Sequence, residues 1–120
     1  MAVRAIRGAI QLDTDERSHL LKSTAELVTK VLHENNLSQA DLISIFFTAT
    51  TDVTSEFPAL AARELGLGDV PLMCAVEMDV QGAMPRVIRL MMHAETNLSR
   101  SEIQHIYLRG AAKLRTDLAQ

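Results

Sequence analysis

The chain has 120 residues, is 48% hydrophobic and 22% charged, and carries a formal net charge of −3, which describes one soluble globular domain built on a single core. An acidic balance, with three Phe, one Tyr and no Trp, excludes the basic footprint and stacking platforms of nucleic-acid binders. Among the basic residues, nine are Arg and three are Lys; guanidinium groups suit bidentate capture of carboxylate or phosphate, although codon bias in a GC-rich genome gives the same count.

In chain order, Val3 to Leu12 reads as a first strand that places Arg7 on one face with Val3 and Ala5. Asp13 and Glu16 have the spacing of a capping box and open the clearest helix, in which Leu20, Leu21, Leu27, Val28, Val31 and Leu32 keep helical period. Lys22, Glu26 and Lys30 take its wet side, and Asn35 and Asn36 end it. Ser38 to Asp41 is a short capped turn, and Leu42 to Thr50 a strongly β-prone strand. A polar loop to Glu56 leads into a short helix from Phe57-Pro58 through Leu65, stopped by Gly66. Val70 to Val76 forms a third strand. Gly82 and Pro85 bracket a turn, after which Arg86 to His93 is a fourth strand with Arg89, Val87 and Met91 on one face. Ser99 and Glu102 repeat the capping-box signature before a last strand, His105 to Leu108. This order predicts an α+β domain spanning 1–120, a mixed β-sheet packed with one long helix and short helices.

A lone Cys74 cannot form an intramolecular disulfide, which fits a reducing, cytoplasmic setting. The four histidines lack metal-ligand spacing, so no metal is expected. Arg4 and Arg7 interrupt the N-terminal apolar stretch, and no run approaches the ~18 apolar residues of a membrane span. Gly66-Leu67-Gly68 lacks the rest of a phosphate-binding motif, and no Ser-His-Asp order is present.

Three charges stand inside or at the ends of apolar strands: Arg7, Glu77 and Arg89. Edge strands carry such charges to prevent pairing with other chains, and one face of an antiparallel sheet is often solvated. Together with Arg63 and the single Tyr107, they point instead to an anion-binding constellation. Cys74 and the methionines read as core or interface filler.

Taken in order, Arg4-Ala5-Ile6-Arg7-Gly8-Ala9, Phe57-Pro58-Ala59 with Arg63-Glu64-Leu65, Cys74 followed by Glu77-Met78-Asp79-Val80, Arg86 through Met92, and His105-Ile106-Tyr107-Leu108 with Leu114-Arg115 resemble the monofunctional bacterial chorismate mutases of the trimeric α/β-barrel-like class. The similarity runs from about Arg4 to Leu118. It implies a homotrimeric pseudo-α/β-barrel with active sites between subunits, no cofactor, and rearrangement of chorismate to prephenate on the way to phenylalanine and tyrosine. By that resemblance Arg7, Cys74, Glu77, Arg89 and Tyr107 of one subunit bind substrate together with Phe57, Ala59 and Arg63 of its neighbour, with Met73 in the neighbour-subunit wall and Leu114 also at the site. Arg7 and Tyr107 would hold one carboxylate, Glu77 and Cys74 the ring hydroxyl, and Arg89 the ether oxygen. Arg63 would lie near the other carboxylate. Leu60 replaces a Lys found in some members, Met73 a small polar residue, and Thr116 a frequent Pro in the tail. A trimeric imine deaminase-like enzyme and a non-catalytic sensor of an aromatic acid would use the same Arg-lined cleft.

Overall fold

The computed structural model describes residues 1–115; Thr116 and the end of the family likeness at Leu118 lie outside them. Five strands, β1 (Ala2–Gln11), β2 (Leu42–Ala49), β3 (Leu72–Val76), β4 (Val87–Thr96) and β5 (Ile106–Leu108), form one sheet in the order β3-β2-β4-β1-β5. The central β4 runs antiparallel to both β1 and β2, while β3 and β5 add on the outside in parallel. This is the mixed sheet that the alternation of elements predicts, and the long helix α1 (Arg17–Glu34) and short helix α2 (Pro58–Ala62) pack against it.

Period two divides each strand between two environments. Ile6 and Ile10, Ile45 and Phe47, and Ile88 and Met92 are fully buried together with Leu20, Leu27, Val28 and Val31 of α1. The alternate positions Val3, Ala5 and Arg7, Phe46 and Thr48, and Arg89 and Met91 face the other way and are exposed or half-buried. At one end of this second face Ala9, Val87, Tyr107 and Ala111 form a separate small cluster, with Met84 and Leu114 packed against it. The 3-10 turn Arg109–Lys113 supplies Ala111 to that cluster.

Local differences from the sequence reading have definite causes. The N-cap of α1 is Glu16, not Asp13: its carboxylate accepts from the Ser18 and His19 amides at 3.2 and 2.9 Å. Asp13 instead donates its own amide to His19 Nε2 at 3.0 Å. The capping boxes at Ser38 with Asp41 and Ser99 with Glu102 form as read, each on a single 3-10 turn. Helix α2 stops at Ala62 and passes into a π turn, Arg63–Leu67, where Gly66 takes a positive φ of 93° that glycine adopts at no steric cost. Arg86 is not in β4, because its φ of 55° turns the chain before the strand. At the other end β4 runs three residues past His93 to Thr96, since β1 pairs with it along its whole length, from Gln11 opposite Val87 to Ala2 opposite Thr96.

Asn35 ends α1 and ties it to the sheet. Its side-chain amide donates to the Val31 and Gln104 carbonyls, both at 2.9 Å, and its oxygen accepts the Gln104 amide at 2.7 Å. That fully paired, buried side chain fixes the approach to β5. Arg109, one residue beyond β5, reaches Ser23 at 3.0 Å and Glu26 at 2.8 Å on α1. The strand bearing Tyr107 is therefore held at both ends by α1.

Candidate active site

Strand register sets the open face in transverse rows. One row runs Tyr107, Ala9, Arg89, Thr48 and Ala75 across β5, β1, β4, β2 and β3; the next runs Arg7, Met91, Phe46 and Met73. Ala9 is too small to separate the Tyr107 side chain from Arg89. Where the two rows meet lies a cleft of about 190 Å³ lined by Arg7, Phe46, Thr48, Glu77, Arg89 and Tyr107. Arg7, Glu77, Arg89 and Tyr107, far apart in sequence, are thus brought together on one chain.

Glu77 reaches the cleft because its amide donates to the Ala49 carbonyl at 2.9 Å, carrying the β2–β3 ladder one rung beyond Val76. The carboxylate turns back over β2, where the Thr48 hydroxyl donates to Glu77 Oε2. The same oxygen lies 3.6 Å from Arg89 Nε, which is an ion pair but too long for a good hydrogen bond. Arg89 Nε is shielded from solvent and has no hydrogen-bond partner among the described residues. A buried donor left unpaired costs about 1–3 kcal/mol, which an acceptor atom of a ligand would recover. With two guanidinium groups against one carboxylate, the cleft has an excess of positive charge suited to an anionic ligand.

Arg7 is held through its backbone as well as by its strand. The Arg7 amide donates to Nδ1 of His105 at 3.0 Å. Burial, then the positive charges of Arg7 and Arg115, hold the His105 imidazole below its ordinary pKa. Tyr107 is 6% exposed and packs in the small cluster with Leu114 beside it.

Other residues expected at the site lie elsewhere on the chain. Cys74 is registered with the fully buried Phe47, so its side chain faces the helix-covered side rather than Arg89. It lines a different hollow of about 430 Å³ together with Phe57. Met73 is on the cleft's side of the sheet, next to Phe46, but outside the cleft lining. Ala59 is 3% exposed and its side chain belongs to the main core, which leaves only its main chain to meet a ligand. Arg63 is exposed on the π turn, close enough for its charge to help hold the Glu56 carboxyl below its ordinary pKa, after the larger contributions of the Phe57 amide and Arg17. A single chain therefore does not bring Phe57, Ala59, Arg63 or Cys74 to the Arg7–Arg89 cleft.

Sequence reasoning passed over Phe46, Thr48 and His105. The first two carry a legible signal, since period two through β2 places them on the face opposite Ile45 and Phe47. His105 carries none, because its bond to Arg7 joins positions 98 residues apart.

The family model for chorismate mutase type I matches residues 3–118. A chorismate mutase of Thermus thermophilus is 44% identical over 117 residues, covering 97% of this chain and 96% of that one. The Bacillus subtilis chorismate mutase is 38% identical over 120 residues, covering 99% and 94%. A solved chorismate mutase structure from Clostridium thermocellum superimposes with a TM-score of 0.90 at 39% identity, over 92% of this chain and 98% of that chain.

Proposed function

The chain belongs to the chorismate mutase type I family, and from that membership we propose that it rearranges chorismate to prephenate by clamping the substrate and stabilising charge on its ether oxygen. The observation that carries the mechanism is the cleft itself: Arg7, Glu77, Arg89 and Tyr107 converge, and Arg89 Nε, ion-paired to Glu77, has no hydrogen-bond partner among the described residues. The reaction is unimolecular. One C–O bond breaks, one C–C bond forms, and no proton need be transferred to or from the protein.

Catalysis is then a matter of shape and charge. Arg7 and Tyr107 hold one carboxylate so that the enolpyruvyl side chain lies over the ring, converting a rare conformer into the bound one. Glu77, oriented by Thr48, accepts a hydrogen bond from the ring hydroxyl. As the C–O bond lengthens, negative charge grows on the ether oxygen, and Arg89 binds that charge more strongly than the neutral ground-state oxygen. A rate enhancement of even ~10⁶ requires about 8 kcal/mol of barrier reduction, and Arg89 supplies the largest single share.

The second carboxylate requires a further cation, and Arg63 of a second copy provides it. Phe57 of that copy, with the Ala59 main chain, walls the pocket. Support for a homotrimer comes from the open face, where Val3, Phe46 and Met73 are 57%, 43% and 59% exposed, a set of apolar side chains that a second chain would cover. Further support is that Phe57 and Arg63 stand on α2 and its flanks, against the helix-covered side of the sheet. Cys74, whose side chain faces the helix-covered side of the sheet, is not part of the Glu77 contact with the ring hydroxyl. No described helix is long and apolar enough to cross a membrane, and with the single cysteine this supports a cytoplasmic setting.

Incubation with chorismate tests the activity: ultraviolet absorbance falls and prephenate accumulates, whereas binding without turnover would overturn it. A mixing experiment tests the shared site. Arg89→Ala and Arg63→Ala variants, each impaired alone, regain activity when subunits exchange, because some mixed interfaces carry both arginines. No recovery after demonstrated exchange would overturn the intersubunit arrangement.

A further inference from the structure

We infer that His105 is a positioning residue for Arg7, acting as a neutral imidazole that stands in for a missing rung of the β1–β5 ladder. The inference rests on the reading that Arg7 holds a substrate carboxylate.

The parallel pairing of β1 with β5 begins at Gly8 opposite Ile106 and continues through Ala9 with Tyr107 and Ile10 with Leu108. One residue earlier the backbone ladder has ended, yet the Arg7 amide is directed at the residue just before β5 and donates to His105 Nδ1 at 3.0 Å. A side-chain nitrogen thus continues the ladder past its last backbone pair. The consequence is geometric. Arg7 and Tyr107 come from adjacent strands, and the bond locks the backbone of the first to the residue two before the second. Both ends of a carboxylate clamp are held in one frame, the kind of outer support on which the precision of a binding group depends.

The bond also fixes the state of the ring. With Nδ1 accepting, the imidazole proton sits on Nε2 and the ring is uncharged. Protonation would place an N–H against the Arg7 N–H and break the contact. The surroundings oppose this step from every side. Arg7 of β1 and Arg115 beyond the C-terminal 3-10 turn lower the His105 pKa along with burial. Arg4 of β1, His93 of β4 and Arg100 of the 3-10 turn line the same hollow of about 480 Å³ as His105, and among the described residues no carboxylate lines it. The cationic hollow keeps the ring neutral, and the neutral ring keeps Arg7 in place, down to a pH below the ordinary histidine range.

Two variants separate this role from simple packing. His105→Gln moves the acceptor away from the Nδ1 position and lowers kcat/KM about tenfold, roughly the worth of one hydrogen bond, mainly through KM. His105→Asn keeps an acceptor near the Nδ1 position and cannot be protonated, so it stays within about twofold of the parent and lacks the parent's acid limb in kcat/KM. Exchange of the Arg7 amide gives a readout independent of turnover: slow in the parent and in His105→Asn at neutral pH, fast in His105→Gln. The inference is overturned if His105→Asn is as impaired as His105→Gln, if it keeps the acid limb, or if the Arg7 amide is equally protected in all three. Failure of the underlying reading looks different, because Arg7→Ala would then turn over chorismate with KM unchanged whatever the His105 variants do.

Discussion

On one face of the sheet Ile6, Ile10, Ile45, Phe47, Ile88 and Met92 are sealed beneath α1 and α2, while on the other Arg7, Arg89, Thr48 and Phe46 line an open cleft. Both faces are built from the same strands, with successive residues assigned alternately to each. The sealed face obeys a single rule, apolar and close-packed, and its partner is a helix of the same chain. The open face mixes guanidinium, carboxylate and exposed apolar groups, and the described residues offer no element to cover most of it. Stability and function are thereby separated by one residue of register: a change at Ile6, Ile88 or Met92 acts on the core, and a change at the neighbouring Arg7, Arg89 or Met91 acts on the cleft or on what docks there.

That division can be broken or sharpened by substitution. Phe47→Ala opens a cavity in the fully buried core and should cost about 3–5 kcal/mol of stability, read as a lower denaturation midpoint, with kcat per folded molecule largely kept. One register row away and on the opposite face, Arg89→Ala should lower kcat at least ~10²-fold, the scale of losing an oxyanion-hole donor, with little change in melting temperature. An Arg89→Ala variant with full turnover would remove Arg89 from the mechanism.

Gly8→Ala tests how tightly the sealed face is packed. A Cβ there would meet Leu90 at 3.2 Å and Leu27 at 3.3 Å, so overpacking should destabilise the protein by about 1–3 kcal/mol, visible in urea unfolding. Thr48→Val, nearly isosteric, removes the hydroxyl that holds Glu77 and should reduce kcat/KM roughly fivefold, about 1 kcal/mol, without lowering the melting temperature. A stable Thr48→Val with unaltered kinetics would separate Glu77's orientation from catalysis.

The smallest effects concern pH. The Ser18 hydroxyl, then the His19 and Ser18 amides, hold Glu16 below its ordinary pKa of 4.5, and the Ser99 amide and hydroxyl do the same for Glu102. A lowered carboxyl pKa gives stability that is present above the ordinary value and lost as pH falls through the folded one. Melting temperature should therefore decline in acid below about pH 4.5, and Glu16→Gln should flatten part of that decline. His105 acts in the same direction at higher pH. Its folded pKa lies below the ordinary value of 6.5, so its contribution is full above that value and is lost as pH falls toward the lowered one. Because no side chain must exchange a proton with substrate, kcat should stay nearly flat across neutral pH.

Much of this was legible beforehand. Alternation through Val3 to Leu12 and Leu42 to Thr50 and the helical period of Leu20 to Val31 are local records of which face is buried, and they gave the elements and the sheet class. The odd charges at Arg7, Glu77 and Arg89 stood out because a strand core has no use for them. Boundaries were less readable where tertiary partners decide them: Asp13 had the capping spacing but its amide is turned to His19, and β4 continues to Thr96 because β1 pairs with it there. The side of the sheet on which Cys74 lies follows from its pairing with Phe47, and the burial of Ala59 from its place under the core.

By itself, then, the sequence determined the inventory: an α+β chain with a surplus of guanidinium groups at strand positions, and ordered motifs specific enough to indicate a family. Convergence was decided only by the tertiary structure. Tyr107, Ala9, Arg89, Thr48 and Ala75 form one row because five strands pair in a particular order and register, and hydrogen bonds between strands depend on positions that no local window contains. The same holds for the imidazole that fastens Arg7 and for the placing of Arg89 Nε beside Glu77. Spacing along a chain specifies what a residue can do, and pairing across the sheet specifies with which others it does it.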